Sequence, residues 1–394
     1  MVMVGFWAVV AGGSLAGLLA TYLFYPLALL GPWGPRRKKF APAAMADPPS
    51  VEILFAAYNE ESVLPAKLES ILALDYPPDK LSIRVGSDCS NDGTNALLQS
   101  WAADHPGRVQ VHLFHQRRGK ARVLNDLRAV SKADYLLLTD ANILYEKDCL
   151  VRLLEGIEGP EVAACGGQIQ YLSGASPKGI ANQESRYLSL ENRIKARESS
   201  LWGLTIGLEG GCYLVRRDLF PTLPAHFFME DFFVTLHLLG QGYRVHFNPA
   251  AKVWEDVSVS PQEEFRRKVR ISIGNWQNLG AYGHLLWQRP WPLGAAFFLH
   301  KVLRWCSPFF LLLLALSLPW LWPQGLFWRG LAVSYLCGGV LGSLGLIGSK
   351  LPGLTWLRYP GHFLFMNLAL LWGFFKYLKG VKSNVWQPTQ RNQT

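Results

Sequence analysis

The sequence of 394 residues has only six cysteines, and their spacing shows neither a paired metal-ligand motif nor a disulfide framework. We therefore expect reduced thiols in a cytosolic domain. The formal net charge is +10, yet the sequence has no basic helix and no aromatic RNA-binding pattern. No internal repeat is evident either. These absences argue against a nucleic-acid partner, and the positive charge favours anionic lipid headgroups and an anionic nucleotide.

Charged residues are missing from Val4 to Leu30, a segment long enough to span a bilayer. A basic run, Arg36 to Lys39, follows this segment, and no basic residue precedes it. The positive-inside rule then places the N-terminus outside and the following domain inside. A cleaved signal peptide is the alternative, because Ala44 to Ala46 resembles a cleavage site, but a signal peptide carries its charge before the apolar core. We therefore expect an uncleaved anchor.

Three apolar runs near the C-terminal end predict further membrane helices, at about Ser307 to Trp322, Leu331 to Ile347 and Phe363 to Leu378. Three spans would place the C-terminus outside. The basic residues of the last segment indicate an internal C-terminus instead. These residues are Lys376, Lys379, Lys382 and Arg391. One run is therefore expected to be re-entrant or interfacial, unless the charge rule fails here, and the sequence does not decide between the two.

Strand-like apolar runs alternate with segments of helical periodicity between residues 48 and 265. The predicted strands are Val51 to Ala57, Leu81 to Gly86, Val109 to Phe114 and Tyr135 to Thr139. Three helices are predicted between these strands. The first ends at Leu74, and the other two cover Thr94 to Ala103 and Ala121 to Val130. This alternation predicts βαβ units and the mostly parallel sheet of an α/β domain.

The fourth strand ends abruptly at Asp140, and Asn142 follows two residues later. A buried parallel strand of this kind delivers a carboxylate to the edge of the sheet, where ligands bind in open α/β sheets. An acid and an amide oxygen at i and i+2 can face one hard divalent cation, and such a cation commonly bridges phosphates. Taken alone, the pattern is about equally consistent with a turn capped by Asn.

Polar clusters lie where these predicted strands end. They are Tyr58-Asn59-Glu60, Asp88 with Asp92, Gly119-Lys120, and Asp140 with Asn142. Because the carboxyl ends of parallel strands share one edge of the sheet, we expect the clusters to converge. An Asp there can accept a hydrogen bond from a base imide, and Lys120 can meet a phosphate as a point charge. Each cluster could also be a turn or a helix cap, and it is their joint occurrence that favours a binding site.

Two further motifs lie downstream. The double glycine Gly210-Gly211 precedes an apolar strand and permits close approach of the backbone. Asp231 is predicted to open a helix that runs to about Leu239. An acid in a first helical turn is usually a capping or dipole-favoured residue. From the residues alone, a cap and a catalytic base are equally consistent with Asp231.

These motifs, in this order, resemble the family 2 glycosyltransferases with the A-type nucleotide-sugar-binding fold, and the resemblance covers nearly the whole chain. It implies donor-nucleotide contacts at Ala57, Tyr58, Glu60, Asp88, Lys120, Asp140 and Arg270, with Asp88 facing uracil. It implies a metal site at Asp140 and Asn142, where the family has Asp-x-Asp. Because Asn142 is neutral, Asp140 would carry most of the metal binding. Acceptor contacts are implied at Gly211, Cys212 and Arg267, and catalysis at Glu230 and Asp231, with Asp231 as general base.

The basic stretch around Arg267 and Arg270 has two interpretations. It can be a cytosolic stripe that touches lipid headgroups. It also resembles the (Gln/Arg)-x-x-Arg-Trp motif of processive polysaccharide synthases, which implies that Arg270 contacts the leaving diphosphate. Ile271 replaces the Trp that stacks on an acceptor sugar, so processivity or the acceptor type stays open. Trp276 could supply the ring, although the spacing does not show it. The segments His300 to Trp305 and Trp386 to Arg391 also resemble membrane-bound members.

The resemblance therefore implies an α/β fold, a mostly parallel sheet nucleotide-sugar-binding domain flanked by α-helical membrane segments. Residues 1–34 are expected to be a transmembrane helix and 48–262 a cytoplasmic glycosyltransferase domain. Residues 263–306 are expected to form interfacial helices with the Arg motif, and 307–394 membrane helices with a short basic tail. The relatives implied are cellulose, hyaluronan, chitin and poly-N-acetylglucosamine synthases.

The expected function is a metal-dependent, inverting glycosyltransferase of the bacterial inner membrane. It would transfer a sugar from a nucleotide sugar, expected to be UDP-linked, to a growing polysaccharide, with Mg²⁺ or Mn²⁺ as cofactor. Coupling to export, with the C-terminal helices as the route, belongs to this expectation. The expected partners are the donor, a saccharide or lipid-linked acceptor, and membrane lipids. Transfer of one sugar to a lipid carrier is an alternative that Ile271 keeps open. A non-catalytic membrane scaffold is another, which loss of Asp140 or Asp231 would favour, and both are present.

Overall fold

The computed structural model describes residues 2–31, 40, 47–157, 159–171, 180–256, 261–347 and 355–381. The chain divides into two compact units. The sheet unit comprises Pro35–Gly174, Glu191–Val259 and Val381–Thr394, and the helical unit comprises Met1–Gly34, Ala175–Leu190 and Ser260–Gly380. The basic run at 36–39, the candidate cleavage site at 44–46 and the terminal motif at 386–391 lie outside the described residues, so what was predicted on them stays a prediction.

One mixed sheet organises the sheet unit, with eight strands in the described part of the chain. The strands are β1 (Val51–Ala57), β2 (Leu81–Asp88), β3 (Val109–Phe114), β4 (Tyr135–Leu138), β5 (Leu144–Tyr145), β6 (Val162–Tyr171), β7 (Tyr213–Arg216) and β8 (Arg244–Glu255). Their order across the sheet is β3-β2-β1-β4-β7-β6-β8-β5.

The helices are α1 (Val2–Leu19), α2 (Tyr25–Leu30), α3 (Leu64–Leu72), α4 (Thr94–Asp104), α5 (Lys120–Val130), α6 (Cys149–Glu155), α7 (Ile180–Trp202), α8 (Glu230–Gly240), α9 (Pro261–Tyr282), α10 (Leu285–Gln288), α11 (Leu303–Leu321), α12 (Leu326–Ile347) and α13 (Arg358–Leu378). Short turns of π-helix join α1 to α2 and lead from α10 into α11.

The first half of the sheet is parallel, as the alternation of strands and helices predicted. β1 pairs in parallel with β2 and β4, and β2 pairs in parallel with β3. Every residue of β1 is buried, which explains its unbroken apolar run. Gly86 on β2 allows a close approach of α5, since a Cβ there would lie 2.3 Å from Cγ1 of Val123. The α/β fold is thereby confirmed.

The second half of the sheet mixes both directions, and β6 pairs in parallel with β8. β7 is antiparallel to both β4 and β6, and β5 is antiparallel to β8. The simple alternation of one strand and one helix, which predicts parallel pairing, ends at β4. The sequence pattern therefore does not predict whether the later strands pair in parallel or antiparallel. Two predicted ends also shift, because β2 continues to Asp88 and β4 stops at Leu138, one residue before the predicted end.

Three stretches of the helical unit are long and apolar enough to cross a membrane, within the described residues. They are Val2–Leu30, Pro290–Gln324 and Leu326–Leu346. They contain the first predicted span and two of the three C-terminal runs. The third run lies on α13, which is 21 residues long but carries polar residues such as His362 and Asn367. α13 is therefore the run whose spanning role stays open.

The predicted Arg motif lies on α9 of the helical unit. The Trp276 ring on this helix packs against Phe374 and Phe309, with centroid distances of 4.9 and 6.1 Å. The ring is thus held by aromatic packing between helices, and the suggestion that Trp276 stacks on an acceptor sugar gains no support. The roles predicted for Arg267 and Arg270 stay predictions.

Candidate active site

The polar clusters predicted at the strand ends come together around the ammonium group of Lys120. Lys120 is the first residue of α5, and its Nζ lies 2.6 Å from Oδ1 of Asp140 and 2.5 Å from Oε1 of Glu230. Asp140 follows β4 and Glu230 opens α8, so three separate segments meet at one charge. Burial by itself lowers the pKa of Lys120, but the two carboxylates outweigh it and hold the pKa well above its ordinary value. Lys120 is therefore cationic in the folded protein.

Asp231 lies beside this cluster and is held by backbone donors. Gly210 N donates to its Oδ2 and Phe232 N donates to its Oδ1, each at a distance of 2.7 Å. Burial, and next the charge of Glu230, raise the pKa of Asp231 to about 7, whereas Lys120 and the backbone donors oppose the shift. A carboxylate with this pKa can accept a proton near neutral pH, as a general base must.

Gly210 fits this place because it has no side chain. A Cβ at this position would lie 3.2 Å from Nζ of Lys120 and 3.3 Å from Oδ2 of Asp231, tighter than an ordinary contact. The double glycine was predicted to permit close backbone approach, and the structure shows what approaches. The backbone there contacts the cluster of Lys120, Glu230 and Asp231.

The structure shows what surrounds Asp88, which was predicted to face a base. Its side chain is fully buried, and it accepts hydrogen bonds from the backbone N–H of Arg118 at 2.6 Å and of Gly119 at 3.0 Å. Nε of Arg117 donates to it at 3.2 Å. Gly119 has φ +82°, a conformation that glycine adopts without strain. Asp88 thus shapes the loop that presents Lys120, and a base contact at Asp88 stays a prediction.

Arg117 was not found from the sequence. Its guanidinium carbon lies 3.2 Å from the centroid of the Tyr58 ring, so a stacked pair stands beside the end of β1. The signal available was the pair of arginines directly before Gly119-Lys120. Ala57 ends β1 in a fully buried position, and Glu60 N donates to Oγ1 of Thr94 at 2.9 Å. Glu60 therefore supports the loop after β1 through its backbone N–H in this structure.

The two predicted acceptor residues of the sheet unit, Gly211 and Cys212, make contacts within the protein. The Gly211 carbonyl accepts a hydrogen bond from the Thr139 hydroxyl at 2.9 Å. The Cys212 side chain is fully buried, and its Sγ lies 3.8 Å from Sγ of Cys149. A direct acceptor contact by the Cys212 thiol does not fit this placement.

The residues around Asp140 fit a cation that is shared with a diphosphate. The Asp140 side chain is 41% exposed, and the amide nitrogen of Asn142 donates to Oε1 of Glu255 at 3.2 Å. No group of three His, Cys, Asp or Glu residues that could enclose a metal occurs in the described ranges. Mg²⁺ is usually held by one or two carboxylates together with substrate phosphates. Asp140, with the amide oxygen of Asn142, suits that mode rather than an all-protein cage.

Comparison with known proteins agrees with the geometry. Residues 52–223 match the model of glycosyl transferase family 2. The chain is 27% identical over 242 residues to a probable glycosyltransferase, YdaM, of Bacillus subtilis (strain 168), covering 59% of this chain and 56% of that protein. It is 27% identical over 233 residues to poly-beta-1,6-N-acetyl-D-glucosamine synthase of Staphylococcus aureus (strain COL), covering 58% and 55%. The matches thus span little more than half the length of these relatives.

A solved structure agrees over almost the whole chain. The mannosyltransferase PcManGT from Pyrobaculum calidifontis, in complex with GDP-Man and Mn²⁺, superposes with a TM-score of 0.68 at 21% identity, covering 94% of this chain and 99% of that one. The fold is therefore that of an A-type glycosyltransferase domain with added helices. The match of residues 52–223 to the family 2 model agrees with the resemblance that the sequence motifs carry.

Proposed function

We propose that the protein is an inverting glycosyltransferase that transfers a sugar from a nucleotide-sugar donor to an acceptor hydroxyl. The observation that carries this proposal is the convergence of Lys120, Asp140 and Glu230, with Asp231 beside them, at the strand ends of a family 2 domain. The cluster offers a cation for a diphosphate and a buried carboxylate for a proton, the two groups that sugar transfer with loss of a nucleoside diphosphate needs.

Asp231 acts as the general base in this proposal. Its carboxylate takes the proton from the acceptor hydroxyl while the oxygen attacks the anomeric carbon, and the bond to the diphosphate breaks in the same displacement. The two backbone donors fix the direction of the carboxylate. Glu230 stays paired with Lys120 and raises the proton affinity of Asp231.

Lys120 provides positive charge for the leaving diphosphate. Lysine meets phosphate as a compact point charge, and this one is positioned by two carboxylates. Asp140, assisted by Asn142, would hold Mg²⁺ or Mn²⁺, which when bound supplies further charge neutralisation at the diphosphate. Arg270, on α9, is proposed as an additional donor to the leaving group, with Arg267 towards the acceptor.

The donor is proposed to be a UDP-linked sugar. The curated relative from Staphylococcus aureus is a poly-beta-1,6-N-acetyl-D-glucosamine synthase, which supports an amino-sugar donor and a polysaccharide product. The solved neighbour holds GDP-Man with Mn²⁺, so both nucleotide classes belong in the test. Incubation of the purified protein with UDP- and GDP-sugars, followed by identification of the product, tests the proposal. If the protein neither hydrolyses nor transfers any of these sugars, the proposal is contradicted.

A second candidate product is a single sugar on a lipid carrier. Ile271 favours it, because the stacking Trp of the processive motif is replaced there. Product length separates the two candidates. A ladder or long polymer from one acceptor indicates a growing polysaccharide, with the apolar helices as its route of export, whereas one added sugar on a lipid indicates single transfer.

The protein is proposed to reside in a bacterial inner membrane with its sheet unit in the cytoplasm. The three long apolar stretches support membrane insertion, since each is long enough for a hydrocarbon core of about 30 Å. The placement of the sheet unit rests on the basic run at 36–39.

A further inference from the structure

A lysine lies in the core directly behind the predicted metal segment. Lys67 is on α3, on the same helical stripe as Leu64, Leu68 and Ile71, and its side chain is completely buried. An ammonium group in such a place is costly unless its N–H groups are satisfied. Its position on an apolar stripe is the signal by which the sequence could have revealed it.

The Lys67 ammonium is satisfied without a carboxylate. Its Nζ donates to Oγ1 of Thr139 at 2.9 Å and to the carbonyl of Ile143 at 2.7 Å, and it lies 4.1 Å from the centroid of the Tyr145 ring. Asp140, whose charge acts on Lys67, is itself paired with Lys120 at 2.6 Å. Burial lowers the pKa of Lys67 to about 7, and the charge of Asp140 opposes this shift.

The two acceptors of Lys67 flank the predicted metal segment. Thr139 lies directly before Asp140, and Ile143 lies directly after Asn142, so one side chain fastens both ends of the loop that presents these two residues. The Thr139 hydroxyl has a single proton, which it donates to the carbonyl of Gly211 at 2.9 Å while it accepts from Lys67. α3, the Asp140 loop and the double-glycine loop are therefore joined through one ammonium and one hydroxyl.

We propose that Lys67 is a positioning residue that fixes the Asp140–Asn142 segment for binding a divalent cation together with a nucleoside diphosphate. The identity of the ligand, a cation with a nucleoside diphosphate, rests on the proposed function. The hydrogen bonds by which Lys67 holds the loop do not depend on it. Lys67 acts through Thr139 and Ile143 rather than by contact with the substrate. A misplacement of about 1 Å at such a site can cost about 10²-fold in rate.

The first test compares Lys67→Met with Arg84→Met. Methionine keeps most of the side-chain volume and removes the ammonium. Arg84, on β2, is a control that is also buried, and it pairs at 2.9 Å with Glu52 near the start of β1, away from the Asp140 loop. Breaking either polar cluster lowers thermal stability. Only Lys67→Met is expected to raise hydrogen exchange of the peptide covering 139–145, by about tenfold or more, and to weaken binding of Mn²⁺ with UDP or GDP by a similar factor.

The second test is a double-mutant cycle with Thr139. Thr139→Ser keeps the hydroxyl and should behave like the wild type, whereas Thr139→Val removes it. The effects of Thr139→Val and Lys67→Met on nucleotide binding should be less than additive, because both break the same link. If Lys67→Met does not fold, Thr139→Val and Thr139→Ser still test the link. Faster exchange at 139–145 and weaker nucleotide binding in Thr139→Val alone support the positioning role, and equal behaviour of the two variants overturns it.

The outcomes separate the two proposals. Unchanged exchange at 139–145 in Lys67→Met, or unchanged Mn²⁺-nucleotide affinity despite faster exchange, overturns the positioning role. Equal effects of Arg84→Met on that affinity also overturn it. If the wild type turns over no nucleotide sugar, the proposed function fails, and the exchange of the loop alone then decides whether Lys67 positions it.

Discussion

The backbone N–H of Gly210 donates a 2.7 Å hydrogen bond to Oδ2 of Asp231, and it connects the double-glycine loop to the first turn of α8. The bond fixes one carboxylate oxygen, while the N–H of Phe232 fixes the other. A carboxylate held in this way and made less acidic by burial is suited to proton abstraction near neutral pH. The position of Gly210 thus contributes to the orientation of the proposed base.

The pH dependence of turnover should report Asp231. Its pKa is raised to about 7, so below that pH the carboxyl group is protonated and cannot accept the acceptor proton. We expect the rate per bound donor to fall about tenfold for each pH unit below 7 and to level off above about pH 8. The measurement is the initial rate of nucleoside diphosphate release from pH 5.5 to 9 at saturating donor.

Glu230→Gln provides the matched control for this profile. The negative charge of Glu230 raises the pKa of Asp231, so its removal should move the midpoint to lower pH. A profile that stays flat through pH 6 to 8 in the wild type, or a midpoint that does not move in Glu230→Gln, contradicts the assignment of Asp231.

The activity should depend on a divalent cation bound near Asp140. Asp140→Asn removes the charged ligand and is expected to lower turnover by roughly 10²-fold or more, because a bound cation contributes several kcal/mol of charge stabilisation. Chelator should have the same effect on the wild type, with recovery on adding Mg²⁺ or Mn²⁺. Melting temperature should change little in Asp140→Asn, since this side chain is 41% exposed.

Asp148→Asn is the control for this variant. Asp148 is also a partly exposed carboxylate, 47% accessible, and pairs with Arg152 at 3.0 Å. It should retain full turnover and metal response. Full turnover of the wild type in excess chelator would disprove the metal dependence.

The site residues that could be predicted from the sequence are those in short motifs at the ends of strands. Lys120 and Asp140 each follow a recognisable motif, and parallel strands bring their carboxyl ends to one edge, so local pattern and topology sufficed for their convergence. The strands β1 to β4 were predicted within two residues for the same reason, since each is a buried apolar run between turn signals.

The rest depends on contacts between distant segments. Nothing local shows that Gly210 N meets Asp231, or that Lys67 on α3 fastens the loop around Asp140. The contacts of Asp88 also come from a distant segment. Its sequence motif fits a base contact, whereas in the structure its carboxylate accepts hydrogen bonds from the backbone of Arg118 and Gly119. The directions of β5, β7 and β8 were also out of reach, because side-chain periodicity does not encode strand direction.

Arg270→Ala should lower both nucleotide affinity and rate. A charge-assisted contact contributes about 1.5–3 kcal/mol, so we expect nucleoside diphosphate binding to weaken by roughly 10- to 100-fold. Arg266→Ala on the same helix is the control, because Arg266 is exposed and lies outside the predicted motif. Equal effects of the two substitutions would indicate a general basic surface rather than a diphosphate contact.

Membrane topology should place the two ends of the first span on opposite sides. Val2→Cys should react with an impermeant thiol reagent in intact cells, whereas Ala103→Cys, on α4 of the sheet unit, should react only after permeabilisation. Labelling is compared with the unmodified chain, because Cys337 is exposed in the structure. Labelling of Ala103→Cys in intact cells contradicts a cytoplasmic sheet unit.

The most direct test of the account is donor binding and turnover measured side by side for the wild type and Asp231→Asn. Donor affinity is measured by calorimetry, and turnover is the initial rate of nucleoside diphosphate release with acceptor present. We predict that Asp231→Asn keeps donor affinity and loses turnover by roughly 10²–10⁴-fold, the usual contribution of a positioned general base. Loss of donor binding with unchanged turnover per bound donor would show that Asp231 binds the donor and would contradict the proposed mechanism.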